Sequence, residues 1–354
     1  MSAPQNPLRV GLIGYGLAGR AFHAPLIATT PGLLLRNVVT ANPDRRAQLS
    51  SEHPEARAVD STEQLLADAE HLDLVVIATP NDTHSPAARA ALEAGLPVVV
   101  DKPLAPSADE ARALIELADR RGLMLTVFQN RRWDSDFRTA QHLIADGTLG
   151  AVHRYESRFE RWRPRIAAGW RESADPAKAG GVLNDLGSHL VDQALHLFGP
   201  AAHVYAEVNA RRAGAVVDDD SFLALTHASG VHSHLWMSAV AAHPGPRLRV
   251  LGSQSAYTVR GLDPQEAALR AGQRPGPGWG EPAESDWGLL GPTDEARPYP
   301  SLPGDYPAFY AGVVSALREG KPAPVDPRDA VNTLTILELA RRSAAEGRTI
   351  AVPQ

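Results

Sequence analysis

Apolar residues in the first third of the chain fall into short runs separated by stretches of helical period. LRVGLI at 8–13 is aliphatic and of strand length, and AGRAFHAPLIATT at 18–30 continues as a helix until Pro31-Gly32. LLLRNVVT at 33–40 reads as a second strand, and the pair Ser61 and Gln64 opens the helix STEQLLADA as a capping box. LDLVVIAT at 72–79 is almost unbroken in its apolar character, as a strand buried on both faces of a parallel sheet must be. SPAARAALEAG follows with Gly95 where a C-terminal cap sits, and PVVVDKP at 97–103 is another buried strand. Ser107 and Glu110 cap the next helix, and LMLTVFQN at 123–130 closes the series. Regular alternation of this kind predicts an α/β fold: a doubly wound parallel sheet that takes its ligand at the carboxyl ends of its strands.

After Arg131 the period changes. VHRYESRFE, HVYAEVNARR, SFLALTHA, VHSHLWMSAV, RLRVLGS and AYTVR alternate apolar with polar residues, as strands with one solvated face do. A helix at roughly 182–198 interrupts the first two. The expected architecture is therefore a dinucleotide-binding Rossmann domain over 1–128, followed over 129–354 by an α+β domain with a large open, mainly antiparallel sheet. Residues 272–304, rich in Pro and Gly and carrying Trp279 and Trp287, form a connection longer than most loops, either functional or a surface excursion. AVNTLTILELARRSAAEG near the end predicts a helix packing back on the first domain.

Composition narrows the partners. With 354 residues the chain exceeds the usual size of one hydrophobic core, in keeping with two domains. A formal charge of -6 leaves no electrostatic footprint for nucleic acid or an anionic membrane. The chain contains no cysteine, which excludes disulfides, thiolate metal sites and a cysteine nucleophile and fits a reducing compartment, by default the cytoplasm. MSAPQNPLRV has no basic region leading into an apolar one, and the longest apolar runs are strand-sized, so neither a signal peptide nor a membrane span is expected. His232 and His234 share one face of a strand but have no third ligand, so no metal site is assigned.

Four stretches carry candidate chemistry. The glycines Gly14, Gly16 and Gly19 fit G-x-G-x-x-G between a strand and a helix, which makes the loop with Leu17 and Ala18 a candidate pyrophosphate cradle. The second strand ends at Val39-Thr40-Ala41-Asn42 without the acid that holds a ribose 2′-hydroxyl in NAD sites, and arginines follow. Thr40, Asn42 and Arg45 are thus candidate contacts to the 2′-phosphate of NADP, with NAD still possible because Asp44 lies among them. Lys102 sits just past a buried strand, and Pro103 keeps it out of the helical region and can take the cis form. Finally, GGVLNDLGSHLVDQALHLFG spaces Asp185, His189, Asp192 and His196 by 4, 3 and 4. This is a polar stripe that is either a solvated helix face or a carboxylate–imidazole pair for proton transfer. NRRWD at 130–134 and RWRPRIAAGWRE at 161–172 set arginines beside tryptophans, which serves equally to grip a sugar or to form ion pairs.

These stretches carry a resemblance. GLIGYGLAGRAFHAPLI, VVIATPNDTH, VVVDKPLA, TVFQNRRWDSDF, GGVLNDLGSHLVDQALHLFG and DPQEAAL resemble the Gfo/Idh/MocA oxidoreductases, and within them the NADP-dependent scyllo-inositol dehydrogenase-type branch. The resemblance implies a catalytic set at Lys102, Asp185 and His189. It places cofactor contacts at the glycine loop, Thr79, Pro80, Asn81, His84 and Lys102, and substrate contacts at Asn130, Arg131, Trp162, Asp185 and His189. It also implies a homodimer or homotetramer assembled through the C-terminal sheet. The function to expect is hydride transfer between NADP(H), or NAD(H), and a CH-OH or C=O group of a cyclitol, polyol or sugar. The alternative is a cofactor-binding sensor on the same scaffold, which would have no use for a proton-transfer set.

Overall fold

The computed structural model describes residues 6–167 and 169–353. These form two compact units. The first takes in the chain up to Asn130 together with Gln265–Trp279 and Asp305–Val331, and the second takes in Arg131–Pro264, Gly280–Gly304 and the chain from Asn332 on.

In the first unit, among the described residues, six strands form one parallel sheet: β1 (Leu8–Ile13), β2 (Leu33–Val39), β3 (Arg57–Val59), β4 (Leu74–Ile77), β5 (Val98–Asp101) and β6 (Leu125–Phe128), in the order β3-β2-β1-β4-β5-β6. All four side chains of β4 are fully buried, which is why its sequence is continuously apolar. The order reverses between β1 and β4. At that switch point the carboxyl ends of the two strands diverge and leave a crevice for a ligand. Ser61 Oγ accepts from the Gln64 amide at 3.2 Å and Ser107 Oγ from the Glu110 amide at 3.3 Å, so both expected caps are made. The structure adds a helix, Pro43–Glu52, and the strand β3 between the second strand and Ser61. Only Leu49 of that helix is buried, so it has no apolar stripe to reveal it.

In the second unit the described residues form a nine-stranded sheet. Its strands are β7 (Val152–Glu160), β8 (Ala201–Asn209), β9 (Asp220–His227), β10 (His232–Ser238), β11 (Leu248–Gly252), β12 (Ala256–Val259), β13 (Leu289–Leu290), β14 (Arg297–Pro298) and β15 (Ile350–Ala351), ordered β14-β13-β12-β11-β7-β10-β9-β8-β15. Only the β7–β10 pairing is parallel among them. One face is core: Tyr155, Phe159, Leu223, Leu225, Leu235 and Met237 are buried together with the helix Gly187–Phe198. The other face carries Phe222, His234 and Trp236, half-buried, with Phe222 and Trp236 centroids 5.0 Å apart and the Arg158 guanidinium 3.8 Å over the Trp236 ring.

One expectation is corrected here. The last helix, Pro327–Glu346, packs on the first unit only through its opening turn, where Arg328 pairs with Asp119 at 2.7 Å; beyond Val331 it belongs to the second, where Ile336, Leu337 and Ala340 enter the core and Arg341 pairs with Asp218 at 3.2 Å. Its apolar spacing fixes a buried stripe without saying which core buries it. The connection 272–304 is divided between the two units. Its first part stays with the parallel-sheet unit, and its second supplies β13 and β14 to the edge of the large sheet.

Candidate active site

The three glycines of the motif do three different jobs. Gly14 has a φ of +100°, and a Cβ there would meet the Ala78 carbonyl oxygen at 2.6 Å. A Cβ on Gly19 would lie 1.9 Å from the Gly14 carbonyl oxygen, because the following helix, Ala18–His23 and then Ala24–Thr29, is packed directly onto the loop. Both are required by the chain itself. At Gly16 a Cβ would meet nothing within 4 Å. No packing reason explains a glycine there, whereas a phosphate approaching the backbone amides at the start of the helix does. The loop therefore fits a dinucleotide pyrophosphate, with Gly16, Leu17 and Ala18 at the helix opening.

The end of β2 separates the two arginines that follow it. Arg46 donates from Nε to the Thr40 carbonyl at 2.9 Å and pairs with Asp60, while Thr40 itself is buried. The side chain of Asn42 caps the helix Pro43–Glu52, accepting from the Arg45 amide at 3.0 Å. Arg45 is exposed and lines a cavity together with Gly16 and Leu17. Asp44 lies in the first turn of the same helix, where a carboxylate is stabilised by the helix dipole.

Beyond β4, the Thr83 hydroxyl donates to the Thr79 hydroxyl at 2.7 Å, and Asn81 is buried in the short turn Asn81–Thr83 that follows Pro80. The His84 ring is buried, with Nδ1 2.8 Å from the Pro103 carbonyl and Nε2 2.9 Å from the Thr79 carbonyl. It ties the loop after β4 to the loop after β5, the two that border a ligand at the switch point. Lys102 follows β5 directly and is joined to Pro103 by a cis peptide bond. Behind it lies a network that sequence reasoning missed. The Lys102 amide donates to Asp101 Oδ1 at 2.8 Å, His23 Nε2 stands 3.8 Å from the same oxygen, and His23 Nδ1 shares a 2.6 Å hydrogen bond with the Tyr310 hydroxyl. Burial works against the Asp101 carboxylate, yet His23, His84 and Lys102 together hold its pKa below the ordinary value. Burial also pushes the Tyr310 phenol well up. No spacing rule joins residues 23, 101 and 310; only the tertiary fold brings them together.

In the second unit the polar stripe is not a solvated face. Asp185, His189 and Asp192 are 8, 7 and 2% exposed, and of the four only His196 is exposed. The expected single helix is divided into Val182–Asp185 and Gly187–Phe198, with Asp185 ending one segment and His189 in the first turn of the next. At the join, a Cβ on Gly187 would come within 3.4 Å of Met237, Leu183 and Leu337 side chains, so the step is packed tightly against the core. Asp192 takes a two-point hydrogen bond from Arg132, at 2.8 Å from Nε and 2.6 Å from Nη2, and is structural. The Arg131 guanidinium is engaged by Asp134 at 3.1 Å and lies 4.9 Å from the Phe159 ring centroid. Asn130 is buried at the start of the same turn, and Trp162 is 58% exposed. Arg171, from the second tryptophan-arginine cluster, stacks 4.4 Å over Trp170 and donates from Nε to Asp185 Oδ2 at 2.6 Å. Of the two uses weighed for its cluster, this arginine makes the ion pair, and the pair is with a candidate catalytic carboxylate.

Comparison with known proteins identifies the family of both units. Residues 8–129 match the oxidoreductase family with an NAD-binding Rossmann fold, and residues 137–258 match the GFO/IDH/MocA C-terminal domain. The chain belongs to the GFO/IDH/MocA family. It is an oxidoreductase with an NAD-binding Rossmann domain, and a dehydrogenase by family. The chain is 35% identical to the scyllo-inositol 2-dehydrogenase (NADP(+)) of Bacillus subtilis, over 98% of this chain and 96% of that one. It is 40% identical to an uncharacterized oxidoreductase of Escherichia coli, over 98% and 99%. A solved oxidoreductase structure from Yersinia pestis superposes with a TM-score of 0.92 at 39% identity, covering 100% of this chain and 99% of that one. Among the described residues no helix is long and apolar enough to cross a membrane.

Proposed function

We propose that this family member transfers hydride between NADP(H) and a secondary alcohol or its ketone on a cyclitol, polyol or sugar, with Lys102, Asp185 and His189 as the catalytic set. The observation that carries this reading is the burial of Asp185 and His189 one turn apart at a helix break, with an arginine compensating the carboxylate. A solvated helix face needs none of these features. The nicotinamide supplies the hydride acceptor in oxidation and the donor in reduction. In oxidation a ring nitrogen of His189 takes the hydroxyl proton as the carbon loses hydride. The Lys102 ammonium stabilises the developing alkoxide, and Asp185 orients the imidazole and offsets its positive charge. Reduction uses the same residues in reverse. Thr79, Pro80, Asn81 and His84 shape the loop beside the nicotinamide half of the cofactor. Asn130 and Trp162 are the proposed substrate contacts, and Arg131, already paired, serves by holding its turn in place.

The NADP assignment rests on the absence of an acid at Thr40 and on the free presentation of Arg45 beside the glycine loop, and it agrees with the cofactor named for the Bacillus subtilis relative. We also assign a homo-oligomer, dimer or tetramer, built through the sheet face that bears Phe222, Trp236 and Arg158, and a cytoplasmic location. Light scattering tests the assembly, and a monomer at micromolar concentration contradicts it. Nicotinamide absorbance over a panel of cyclitols, polyols and sugars tests the activity. Turnover of at least one panel member is the expected result; tight cofactor binding with no turnover on any contradicts it.

A further inference from the structure

The segment 265–279 belongs with the parallel-sheet unit although it lies more than a hundred residues beyond the last strand of that sheet. Its helix, Gln265–Arg270, packs on the helix that leaves the glycine loop. The Gln265 side-chain oxygen fixes the rest of the segment, accepting from Trp279 Nε1 at 2.9 Å and from the Tyr306 amide at 2.7 Å. Arg274 then reaches the helix Pro43–Glu52 and donates from Nη2 to the Glu52 carbonyl.

This docking borders an open cavity of about 260 Å³ whose lining includes Gly16, Arg20, Arg45, Glu52, Arg270 and Arg274. Four guanidinium groups converge there in a chain whose net charge is -6. The carboxylate in that lining is already engaged: Glu52 accepts from Arg20 Nε at 2.9 Å and from the Tyr15 hydroxyl at 2.9 Å, and its pKa is held down chiefly by Arg20. Arg270 pairs with Glu266 at 3.2 Å. Arg45 and Arg274 have no carboxylate partner among the described residues. Two such guanidinium groups around a concavity that opens onto a phosphate-binding loop form an anion site, because planar forked donors match phosphate oxygens. NADP differs from NAD by one phosphate, on the adenosine ribose.

We propose that Arg274, together with Arg45, binds the 2′-phosphate of NADP, so that cofactor choice is set by the 265–279 segment as well as by the end of β2. The inference rests on the reading of NADP as the cofactor. Arg45 is the contact that sequence position points to. Arg274 is not, since nothing in the linear chain connects residue 274 to the glycine loop.

Fluorescence titration of NADPH and NADH against the full-length protein tests it, using the wild type, Arg45→Gln, Arg274→Gln and Arg274→Lys. Arg274→Gln is expected to raise the NADPH dissociation constant about tenfold or more and to leave that for NADH within about twofold, the effect of removing one charge-assisted contact to phosphate. Arg274→Lys, which keeps the charge, is expected to recover most of the NADPH affinity. Equal weakening of NADPH and NADH by Arg274→Gln marks a packing role and overturns the inference. So does loss of NADPH preference in Arg45→Gln with full preference kept in Arg274→Gln. A wild type that binds NADH at least as tightly as NADPH overturns the cofactor reading itself, and the inference with it.

Discussion

Arg171 Nε donates to Asp185 Oδ2 at 2.6 Å. The pair places a compensated carboxylate one helical turn from His189. In the proposed mechanism Asp185 orients His189, and Arg171 in turn holds the Asp185 carboxylate in place. Arg171→Gln is therefore expected to lower turnover several-fold while leaving cofactor affinity within about twofold of wild type, a modest effect because the Arg171 side chain is 50% exposed. Unchanged turnover in a folded Arg171→Gln protein contradicts this role.

The glycine loop yields a prediction that separates folding from binding. Gly19→Ala drives a methyl group into the Gly14 carbonyl and is expected to destabilise the protein by about 2–3 kcal/mol, within the range of overpacked sites. Gly16→Ala meets no atom of the chain, so its melting temperature is expected to stay within a few degrees of wild type while affinity for NADPH falls by about tenfold or more. Thermal melts and cofactor titrations on the two variants check both halves.

A pH dependence of stability follows from Asp134. Its carboxyl is pushed up to about 7, chiefly by burial, with Asp263 and Asp136 adding to the rise and Arg131 and Arg247 opposing it. Two guanidinium groups facing three buried carboxylates leave one proton to be held. The folded-state pKa lies above the value of about 3.9 for an unfolded Asp, so the stabilising proton is fully in place below pH 4 and is lost as the pH rises through 7. Wild-type protein is expected to melt about 3–5 °C lower at pH 8.5 than at pH 5.5 through this group, and Asp134→Asn, which keeps the shape of the neutral acid, is expected to lose most of that slope. An identical slope in the variant contradicts the assignment.

Much of the fold is legible in the sequence because burial on both faces writes itself as unbroken apolar runs. β4 and β5 lie within the apolar runs read at 72–79 and 97–103, and the burial of β9, Asp220–His227, alternates as SFLALTHA predicts. The helix Pro43–Glu52 escaped because one buried leucine makes no stripe, and β3 because three residues make no period. The Asp185–His189 spacing was visible, but its burial was not: a stripe of polar residues reads the same whether water or Arg132 and Arg171 face it. The partners that decide the matter lie 60 and 14 residues away from Asp192 and Asp185. The same holds for His23, Tyr310 and Arg274, each joined to the site by tertiary packing alone.

The central claim is that His189 moves the proton while the cofactor moves the hydride. Single-turnover and steady-state kinetics of His189→Asn with NADP or NADPH, beside a cofactor titration of the same variant, test it most directly. The account predicts that the rate of the chemical step falls by roughly two to four orders of magnitude, the usual worth of general acid–base catalysis, while cofactor affinity stays within about twofold of wild type. His196→Gln, on the exposed end of the same stripe, is the control and is expected to be nearly silent. Turnover near that of the wild type in a folded His189→Asn protein would contradict the account and leave the chain a cofactor-binding protein without a proton-transfer residue at this position.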